Sequence, residues 1–249
     1  MVRVSVVIPV RDDAVELEHC LRALQRQTRP ADEIIVVDNG SADDSAAVAV
    51  RYGARVHTEH TPGIWPAAAR GFDEATGDII ARLDADSRPR RDWIERVETL
   101  LSLDPEAVAA TGPGVFYQLP RFPRALADLV YMRAYFAMGL VTLGHWPLFG
   151  SSFAIRSTVW NRIRLDVHRD DSGVHDDFDL GYHLDPWSRV ILDRSLAVGV
   201  SARPFGNIPS MLLRTWRAVR TIAVHGVREL PPFRWSRRVR VVRALSRRG

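Results

Sequence analysis

Residues 79–86 spell IIARLDAD, a short apolar run that ends in two aspartates, Asp84 and Asp86. A run of structure breakers, Ser87-Arg88-Pro89, follows directly and predicts a strand that stops at the acids. Acids at the carboxyl end of a strand lie where open α/β sheets bind ligands. Because an Asp-X-Asp pair there can hold a divalent cation through oxygen ligands, the stretch predicts a site for a nucleoside diphosphate.

Three similar strand patterns precede this segment. Apolar, largely β-branched runs cover residues 4–10, 33–37 and 54–57, and apolar residues at helical spacing follow each run. Four strands that alternate with helices predict an α/β fold with a parallel sheet and right-handed crossovers. Since Asp38 ends the second strand, we expect it and the Asp84/Asp86 pair to open onto the same crevice.

Beyond residue 89 the pattern continues less regularly. The segments predicted there are a helix at 93–101, strands at 108–111, 115–117 and 148–155, and a short helix from residue 157. The apolar stretch 122–143 contains Asp128 and Arg133, which makes it a poor transmembrane span. A buried or acceptor-lining helix is therefore favoured over one that dips into a membrane.

A second acidic group stands far downstream at Asp176, Asp177 and Asp179. Three carboxylates in four positions repel one another, which raises the pKa of at least one of them unless cations or donors compensate. Such a group fits a solvated helix N-terminus, where it suits the helix dipole, or a set of active-site acids. The residues by themselves leave both interpretations open.

The charge of the chain is divided between an acidic body and a basic tail. Residues 203–249 carry twelve arginines and one acid, whereas the first 202 residues have a net negative charge. Apolar residues share one helical face of this tail: Leu212, Trp216, Val219 and Ala223. A basic amphipathic helix with a tryptophan suits an anionic membrane surface, but the same face would also suit packing on the core. The acidic body disfavours nucleic acid as a partner.

The length and composition of the chain indicate its number of domains and its cellular compartment. The chain of 249 residues is 46% hydrophobic, which is enough for a core in one or two domains. The N-terminus enters an apolar strand with no basic segment or cleavage site, so no secretory signal is predicted. Cys20 is the single cysteine, which excludes an internal disulfide framework and fits a reducing, cytoplasmic location.

Five motifs in order closely resemble the family 2 inverting glycosyltransferases of bacterial cell-envelope type, which have the GT-A fold. They are VVIPV at 6–10, VVDNGSAD at 36–43, Pro62-Gly63 with Ala67 and Gly71, LDAD at 83–86, and DDFDL at 176–180. The last looks like the family's Glu-Asp-X-Asp-Leu segment. The resemblance implies a Rossmann-like nucleotide-diphospho-sugar transferase with a mostly parallel central sheet, followed here by a basic helical C-terminal extension.

The resemblance also implies roles for single residues in the donor site. Pro9 and Val10 would contact the nucleoside, and Asp38 would hydrogen-bond the base. The usual Arg and Asn in the loop before the fourth strand are replaced by Ala68-Ala69-Arg70, which leaves Arg70 as the nearest cation for the diphosphate. A further departure is Arg11-Asp12, where the family commonly has an Asn after the first strand.

The acids receive distinct roles from the same resemblance. Asp86 would ligate a Mn²⁺ or Mg²⁺ ion that bridges the diphosphate, and Asp84 would lie near the ribose as a supporting ligand. Asp177 would be the catalytic base, in a pair whose first acid is the shorter Asp176. A divalent cation stabilises the charge of a departing nucleoside diphosphate, and one base with direct attack gives inversion.

We therefore expect a metal-dependent transferase that moves one sugar from a nucleoside-diphosphate sugar, with uridine slightly favoured. The acceptor is expected to be a hydroxyl or phosphate of a lipid-linked or cell-envelope glycan at the inner membrane face. Residues 1–205 would form the GT-A domain, with a nucleotide-sugar-binding half (1–100) and an acceptor-binding half (101–205), and 206–249 the basic extension. Alternatives are a soluble transferase with a small-molecule acceptor and a non-catalytic, sugar-nucleotide-binding domain.

Overall fold

In the computed structural model, which describes residues 2–118, 128–203 and 208–246, strands and helices alternate along most of the chain. The strands β1 to β10 are Val4–Val10, Glu33–Asp38, Arg55–Thr58, Ile79–Arg82, Arg88–Pro89, Ala107–Thr111, Gly114–Phe116, Phe153–Arg156, Arg189–Leu192 and Val198–Val200. The helices α1 to α9 are Ala14–Leu24, Ser45–Arg51, Ile64–Glu74, Trp93–Leu103, Arg133–Leu143, Ser157–Ile163, Asp176–His183, Ile208–Val224 and Pro231–Leu245.

A seven-stranded sheet forms the centre, in the order β3-β2-β1-β4-β8-β6-β9. The first four strands pair in parallel, which confirms the prediction from the alternating pattern. All seven residues of β1 are buried, as expected for a central strand with helices on both faces. The predicted mostly parallel α/β architecture and the helical C-terminal part are therefore confirmed.

The second half of the sheet departs from this regular pattern. Strand β8 lies antiparallel between β4 and β6, and β9 continues parallel to β6. The strands predicted at 108–111 and 115–117 both exist, but the second one, β7, joins β5 and β10 in a separate three-stranded sheet. This small sheet holds Val198–Val200 beside the segment that follows Asp86, so residues just beyond β10 reach the crevice.

The core consists of two apolar clusters on opposite faces of the central sheet. Val6 and Ile8 point into one cluster, together with Cys20 of α1, whereas Val7 points into the other. Helix α3 approaches β1 so closely that a Cβ at Gly71 would lie 2.3 Å from a Val7 methyl carbon. The absence of a side chain at Gly71 thus permits the contact that positions α3 over the crevice.

The C-terminal helices pack on the body by polar contacts. Arg234 of α9 is buried and donates hydrogen bonds to the carbonyl oxygens of Leu143, Tyr182 and Leu184. Among the described side chains of α8, Thr221 is buried, whereas Trp216 and Val219 of the predicted apolar face are 53% and 60% exposed. The described part of that face therefore does not pack on the core.

Two segments of the earlier prediction fall partly beyond what is described. The predicted helix at 122–143 is seen from a π-helical turn at Asp128–Met132 through α5, and its first residues, 122–127, lie outside the described part. The side chain of Leu212 also lies outside it. Among the helices that are described, none combines the length and the apolar character needed to cross a bilayer.

Candidate active site

The guanidinium of Arg82 joins the two acidic groups that are far apart in the sequence. Arg82 ends β4, two residues before Asp84, and is almost completely buried. Its Nη1 lies 2.6 Å from Asp176 Oδ2 and 3.2 Å from Asp177 Oδ1, and its Nη2 lies 3.0 Å from Asp84 Oδ1. One cation thus serves three carboxylates at the carboxyl end of β4.

Asp176 and Asp177 both contact Arg82, but their pKa values are shifted in opposite directions. Burial would raise the pKa of Asp176, but Arg82 and His175 outweigh it, so that pKa lies below its usual value. The pKa of Asp177 is raised well above its usual value, first by burial and then by the neighbouring charges of Asp176 and Asp84. Asp177 is therefore the carboxyl of this group that most readily accepts a proton.

Asp177 is held in place by two donors. Besides Arg82, the backbone N–H of Gly150 donates a hydrogen bond to Asp177 Oδ2 over 2.8 Å. A Cβ at residue 150 would lie 2.7 Å from Asp177 Oδ1, so only glycine lets the loop approach this closely. The next residue, Ser151, donates its hydroxyl to Asp84 Oδ2 over 2.6 Å. The loop before β8 therefore orients acids from both halves of the chain.

Asp86 faces a different cation. The Nη2 atom of Arg203, which lies just beyond β10, is 3.0 Å from Asp86 Oδ2 and 2.6 Å from Asp13 Oδ2. Burial and the charge of Asp84 nevertheless raise the pKa of Asp86, in spite of the opposing effect of Arg203. Asp86 is thus a largely buried carboxyl beside a second one, and the oxygens of the Asp84/Asp86 pair suit a divalent cation.

Two cavities meet at the Asp84/Asp86 pair, and both acids line each of them. The first, of about 330 Å³, is also lined by Arg82, Asp176, Asp177 and Arg217. The second, of about 400 Å³, is lined by Pro9, Val10, Arg11, Asp13, Asn39, Gly63, Ile64, Ala67, Ala85 and Arg203. The structure therefore brings five of the predicted site residues around connected space, which are Pro9, Val10, Asp84, Asp86 and Asp177.

Asp38 and Arg70 are placed differently. Asp38 ends β2 and accepts a hydrogen bond from the backbone N–H of Ser41, while its neighbour Asn39 lines the second cavity. The Asn39 side chain also contacts the carbonyl oxygens of Glu59 and Thr61 and the N–H of Gly63, which shapes the cavity wall. Arg70 is exposed on α3 and pairs with Glu74 at 2.9 Å.

The loop after β1 closes one side of the second cavity. Asp12 has a φ of +50°, a left-handed conformation that is uncommon outside glycine. Its backbone N–H donates to Ser41 Oγ, and its Oδ1 accepts from the N–H of Ala42. The departure Arg11-Asp12 thus ties the loop after β1 to the loop after β2.

Asp179 points away from both cavities. Its oxygens accept hydrogen bonds from the indole of Trp65 and from His168 instead. Its neighbours lower its pKa, because His183, His225 and His168 outweigh the effect of burial. The raised pKa of Asp177 therefore comes mainly from burial and from the charges of Asp176 and Asp84.

Sequence reasoning missed three cationic residues of the site: Arg82, Arg203 and Arg217. A signal was present for Arg82, since an arginine inside an otherwise apolar strand is costly to bury unless carboxylates pair with it. Arg203 and Arg217 carried no such signal in the basic tail. Arg217 lines the first cavity, and its Nε is buried with no hydrogen-bond partner in the described part of the chain.

A family model and several curated proteins resemble parts of this chain. Residues 5–162 match the family model described as glycosyl transferase family 2. The glycosyltransferase AglE of Haloferax volcanii is 34% identical over 107 residues, which are 40% of this chain and 35% of that protein. An undecaprenyl-phosphate 4-deoxy-4-formamido-L-arabinose transferase of Sodalis glossinidius is 34% identical over 116 residues, 43% of this chain and 36% of that protein. The chain spans about a third of the length of these curated relatives.

A solved structure extends the likeness over nearly the whole chain. The mannosyltransferase PcManGT from Pyrobaculum calidifontis, in complex with GDP-Man and Mn²⁺, superimposes with a TM-score of 0.70. The match covers 95% of this chain and 69% of that chain at 19% identity. At this identity the likeness shows the shared fold.

Proposed function

The chain belongs to glycosyl transferase family 2 and has the GT-A fold, and we propose that it transfers one sugar from a nucleoside-diphosphate sugar with inversion at the anomeric carbon. The observation that carries this proposal is that the Asp84/Asp86 pair and Asp177 line one cavity. A leaving-group site and a base are the two elements that direct displacement requires.

The second cavity is the proposed site of the nucleoside diphosphate. Pro9, Val10 and Asn39 line its inner part, and the diphosphate would lie towards Asp86 and Arg203. The guanidinium of Arg203 suits phosphate oxygens because it presents several donors in one plane. This assigns to Arg203 the role that the family resemblance suggested for Arg70, whose guanidinium pairs with Glu74.

The Asp84/Asp86 pair fits Mn²⁺ or Mg²⁺ by the chemistry of its oxygens and by the burial of Asp86 beside a second carboxyl. Asp86 would be the main ligand, because Asp84 already contacts Arg82 and Ser151. When bound, the cation would supply positive charge to the departing diphosphate. The Mn²⁺ in the PcManGT complex supports this assignment.

Asp177 is the proposed base. Arg82 and Gly150 hold one oxygen each, so the carboxylate has a fixed direction in the cavity. It would take the proton of the acceptor, from a hydroxyl or from a singly protonated phosphate, while that acceptor oxygen bonds to the anomeric carbon and the bond to the diphosphate breaks. Attack from the side opposite the leaving group inverts the configuration and requires no covalent nucleophile. Cys20, completely buried in the core, takes no part.

The acceptor is proposed to be lipid-linked. A mostly apolar cavity of about 680 Å³ lies beside the catalytic one, and Met132 lines both. In the catalytic cavity, Arg217 offers a cation whose Nε has no hydrogen-bond partner in the described part, which suits an acceptor phosphate. The name of the Sodalis relative, which specifies undecaprenyl phosphate, supports an acceptor of this class.

The exposed apolar face of α8 supports work at a membrane surface. Trp216 and Val219 stand out among the arginines of a basic helix, an arrangement typical of helices that lie in the interface of anionic bilayers. Flotation with anionic liposomes tests this directly. We expect Trp216→Ser/Val219→Ser to reduce binding and Leu165→Ser, at another exposed apolar position, to leave it unchanged. Equal binding by all three proteins would contradict the membrane role.

Transfer is tested by incubating the protein with Mn²⁺ and a panel of uridine, guanosine and thymidine diphosphate sugars. One arm offers a polyprenyl phosphate in anionic liposomes and the other a small phosphorylated acceptor in solution. Sugar on the lipid in the wild type, and not in Asp177→Asn, supports the proposal. Transfer to the soluble acceptor alone would favour the small-molecule alternative. Nucleotide binding with no transfer in either arm would favour a non-catalytic domain.

A further inference from the structure

Three histidines surround Asp179 on the side of α7 that faces away from the catalytic cavity. His183 stands one turn after Asp179, His168 comes from the loop between α6 and α7, and His225 directly follows α8. The three imidazole rings have centroids 4.9 to 5.4 Å apart. The cluster therefore joins the helix that carries the proposed base to the first helix of the basic C-terminal part.

We propose that His168, Asp179, His183 and His225 bind one divalent transition-metal ion, with zinc as the fitting cation. One ligand atom from each residue lies within 4.8 Å of all the others. Asp179 Oδ1 is 2.7 Å from His168 Nδ1, 3.2 Å from His225 Nε2 and 3.6 Å from His183 Nε2. Ligands about 2.0–2.1 Å from a tetrahedral zinc lie roughly 3.3 Å apart, and the three distances from Asp179 Oδ1 lie on either side of this value.

Two nitrogen atoms in the cluster have no hydrogen-bond partner among the described residues, which is a second observation that favours cation binding. His183 Nε2 and His225 Nε2 are both buried without a partner among the described residues. The His225 side chain is 5% exposed, and its Nδ1 lies 2.7 Å from the carbonyl oxygen of Thr221. That contact places a proton on Nδ1, so Nε2 is the ring nitrogen that faces Asp179 Oδ1, at 3.2 Å. A cation bound between the two would contact both atoms.

The outer contacts resemble those that orient metal ligands. Asp179 Oδ2 accepts hydrogen bonds of 2.8 Å from the Trp65 indole and from the backbone N–H of His168, which leaves Oδ1 for the three histidines. The carbonyl of Thr221 fixes the His225 ring in the same way. Such second contacts set the ring tautomer and ligand direction in known metal sites.

The ligand set distinguishes this site from the Asp84/Asp86 pair. Three imidazoles and one carboxylate are typical of zinc and related transition metals, whereas two carboxylates suit Mg²⁺ or Mn²⁺. Four protein ligands also leave no open position, which is typical of a structural zinc site. A bound ion would fasten α8 to α7 and so fix the position of Arg217 relative to Asp177.

The protein, without an affinity tag, is first stripped of metal with a chelator. Zinc binding is then measured by equilibrium dialysis followed by elemental analysis. We expect one zinc ion per chain in the wild type and in Asp86→Ala, and a rise in melting temperature on zinc addition. Loss of an outer contact typically weakens metal binding by about 10–100-fold, so we expect Trp65→Phe to weaken zinc binding by this factor. His183→Gln and His225→Gln each remove a ligand and should weaken zinc binding by a larger factor. His60→Gln, at an exposed histidine, is the matched control and should bind as the wild type does.

Absence of zinc from the wild type, or equal zinc binding in His183→Gln and His225→Gln, would overturn the proposal. Circular dichroism checks that these variants fold. If they do not fold, X-ray absorption at the zinc edge of the wild-type protein decides. A coordination shell with three imidazole nitrogens supports the site, and a shell of oxygens without imidazole refutes it. These readouts are independent of sugar transfer.

Discussion

Helix α7 carries acids on two sides, and their surroundings differ in the balance of charge. Asp177 shares the single guanidinium of Arg82 with two other carboxylates, and its pKa is raised. Asp179, two residues later and also buried, has three histidines and an indole N–H around it, and its pKa is lowered. Identical side chains less than one turn apart therefore meet opposite electrostatic conditions.

The difference shows what separates a carboxyl with a raised pKa from one with a lowered pKa in this helix. On the Arg82 side the carboxylates outnumber the cations, so one of them retains an affinity for protons. On the histidine side several donors face a single carboxylate, namely the Trp65 indole and the backbone and ring nitrogens of His168, so Asp179 stays ionised. The number of compensating partners, rather than burial, distinguishes them, because both side chains are buried.

Replacement of the base should have the largest effect on activity. Asp177→Asn keeps the shape of the side chain but removes its ability to accept a proton, and we expect turnover to fall by about 10²–10⁴-fold. Calorimetry with a nucleoside diphosphate and Mn²⁺ should give an affinity close to that of the wild type. A large loss of nucleotide affinity would refute the base assignment. Asp166→Asn, at an exposed aspartate, is the control and should retain the turnover of the wild type.

Removal of the shared guanidinium should have the largest effect on stability. Arg82→Leu leaves three carboxylates without their common cation, and loss of one partner of a buried ion pair typically costs about 3–5 kcal/mol. Urea unfolding measures this cost. Arg96→Leu is the control, since Arg96 pairs with Asp92 while 52% exposed, and such surface pairs contribute about 0–1 kcal/mol. Similar losses in the two variants would contradict the role given to Arg82.

On the other side of the helix, Asp179→Asn should lower the free energy of unfolding by about 1.5–3 kcal/mol, since it weakens hydrogen bonds to a buried charge. The pKa of Asp179 is lowered in the folded state. Its contribution is therefore present above the unfolded pKa of about 3.9 and is lost as the pH falls towards the folded value. We expect the difference between wild type and variant to narrow below about pH 4, and a difference that widened there would contradict this assignment.

The smallest expected effect is a shift in the pH profile. Asp176 raises the pKa of Asp177 by its negative charge, so Asp176→Asn should lower that pKa. Because the base acts when deprotonated, activity rises with pH through this pKa, and the acidic limb of kcat/KM should move to lower pH in the variant. An unchanged or raised limb would show that Asp176 does not control the base.

Much of the fold could be predicted because its signals are local. The β-branched runs of β1, β2 and β3 and the apolar spacing of α1 lie within short windows of sequence, and the structure places them as expected. The strands β5, β9 and β10 are two to four residues long and have no such pattern. Their pairing depends on segments far away in the chain.

The acids of the candidate site could be predicted from the sequence, but the contacts of its cations could not. Asp84, Asp86 and Asp177 stood out as clustered carboxylates, and the structure brings them around one cavity. Arg82 reaches its partners across 94 and 95 residues, and Arg203 reaches Asp86 across 117. Contacts at such separations are made by the topology of the sheets. The apolar strand around Arg82 indicates that this residue needs acidic partners, but no short window of sequence identifies them.

The sequence alone determined the alternation of strands and helices, the parallel direction of the first four strands and the position of acids at strand ends. Periodicity and strand termini are properties of neighbouring residues, so short windows of sequence carry them. Tertiary structure alone decided which acid of α7 has a raised pKa and which is surrounded by histidines. That choice depends on distance, burial and the count of nearby charges. For Asp177 and Asp179 these quantities are set by Arg82 and His225, residues that only the folded chain brings beside them.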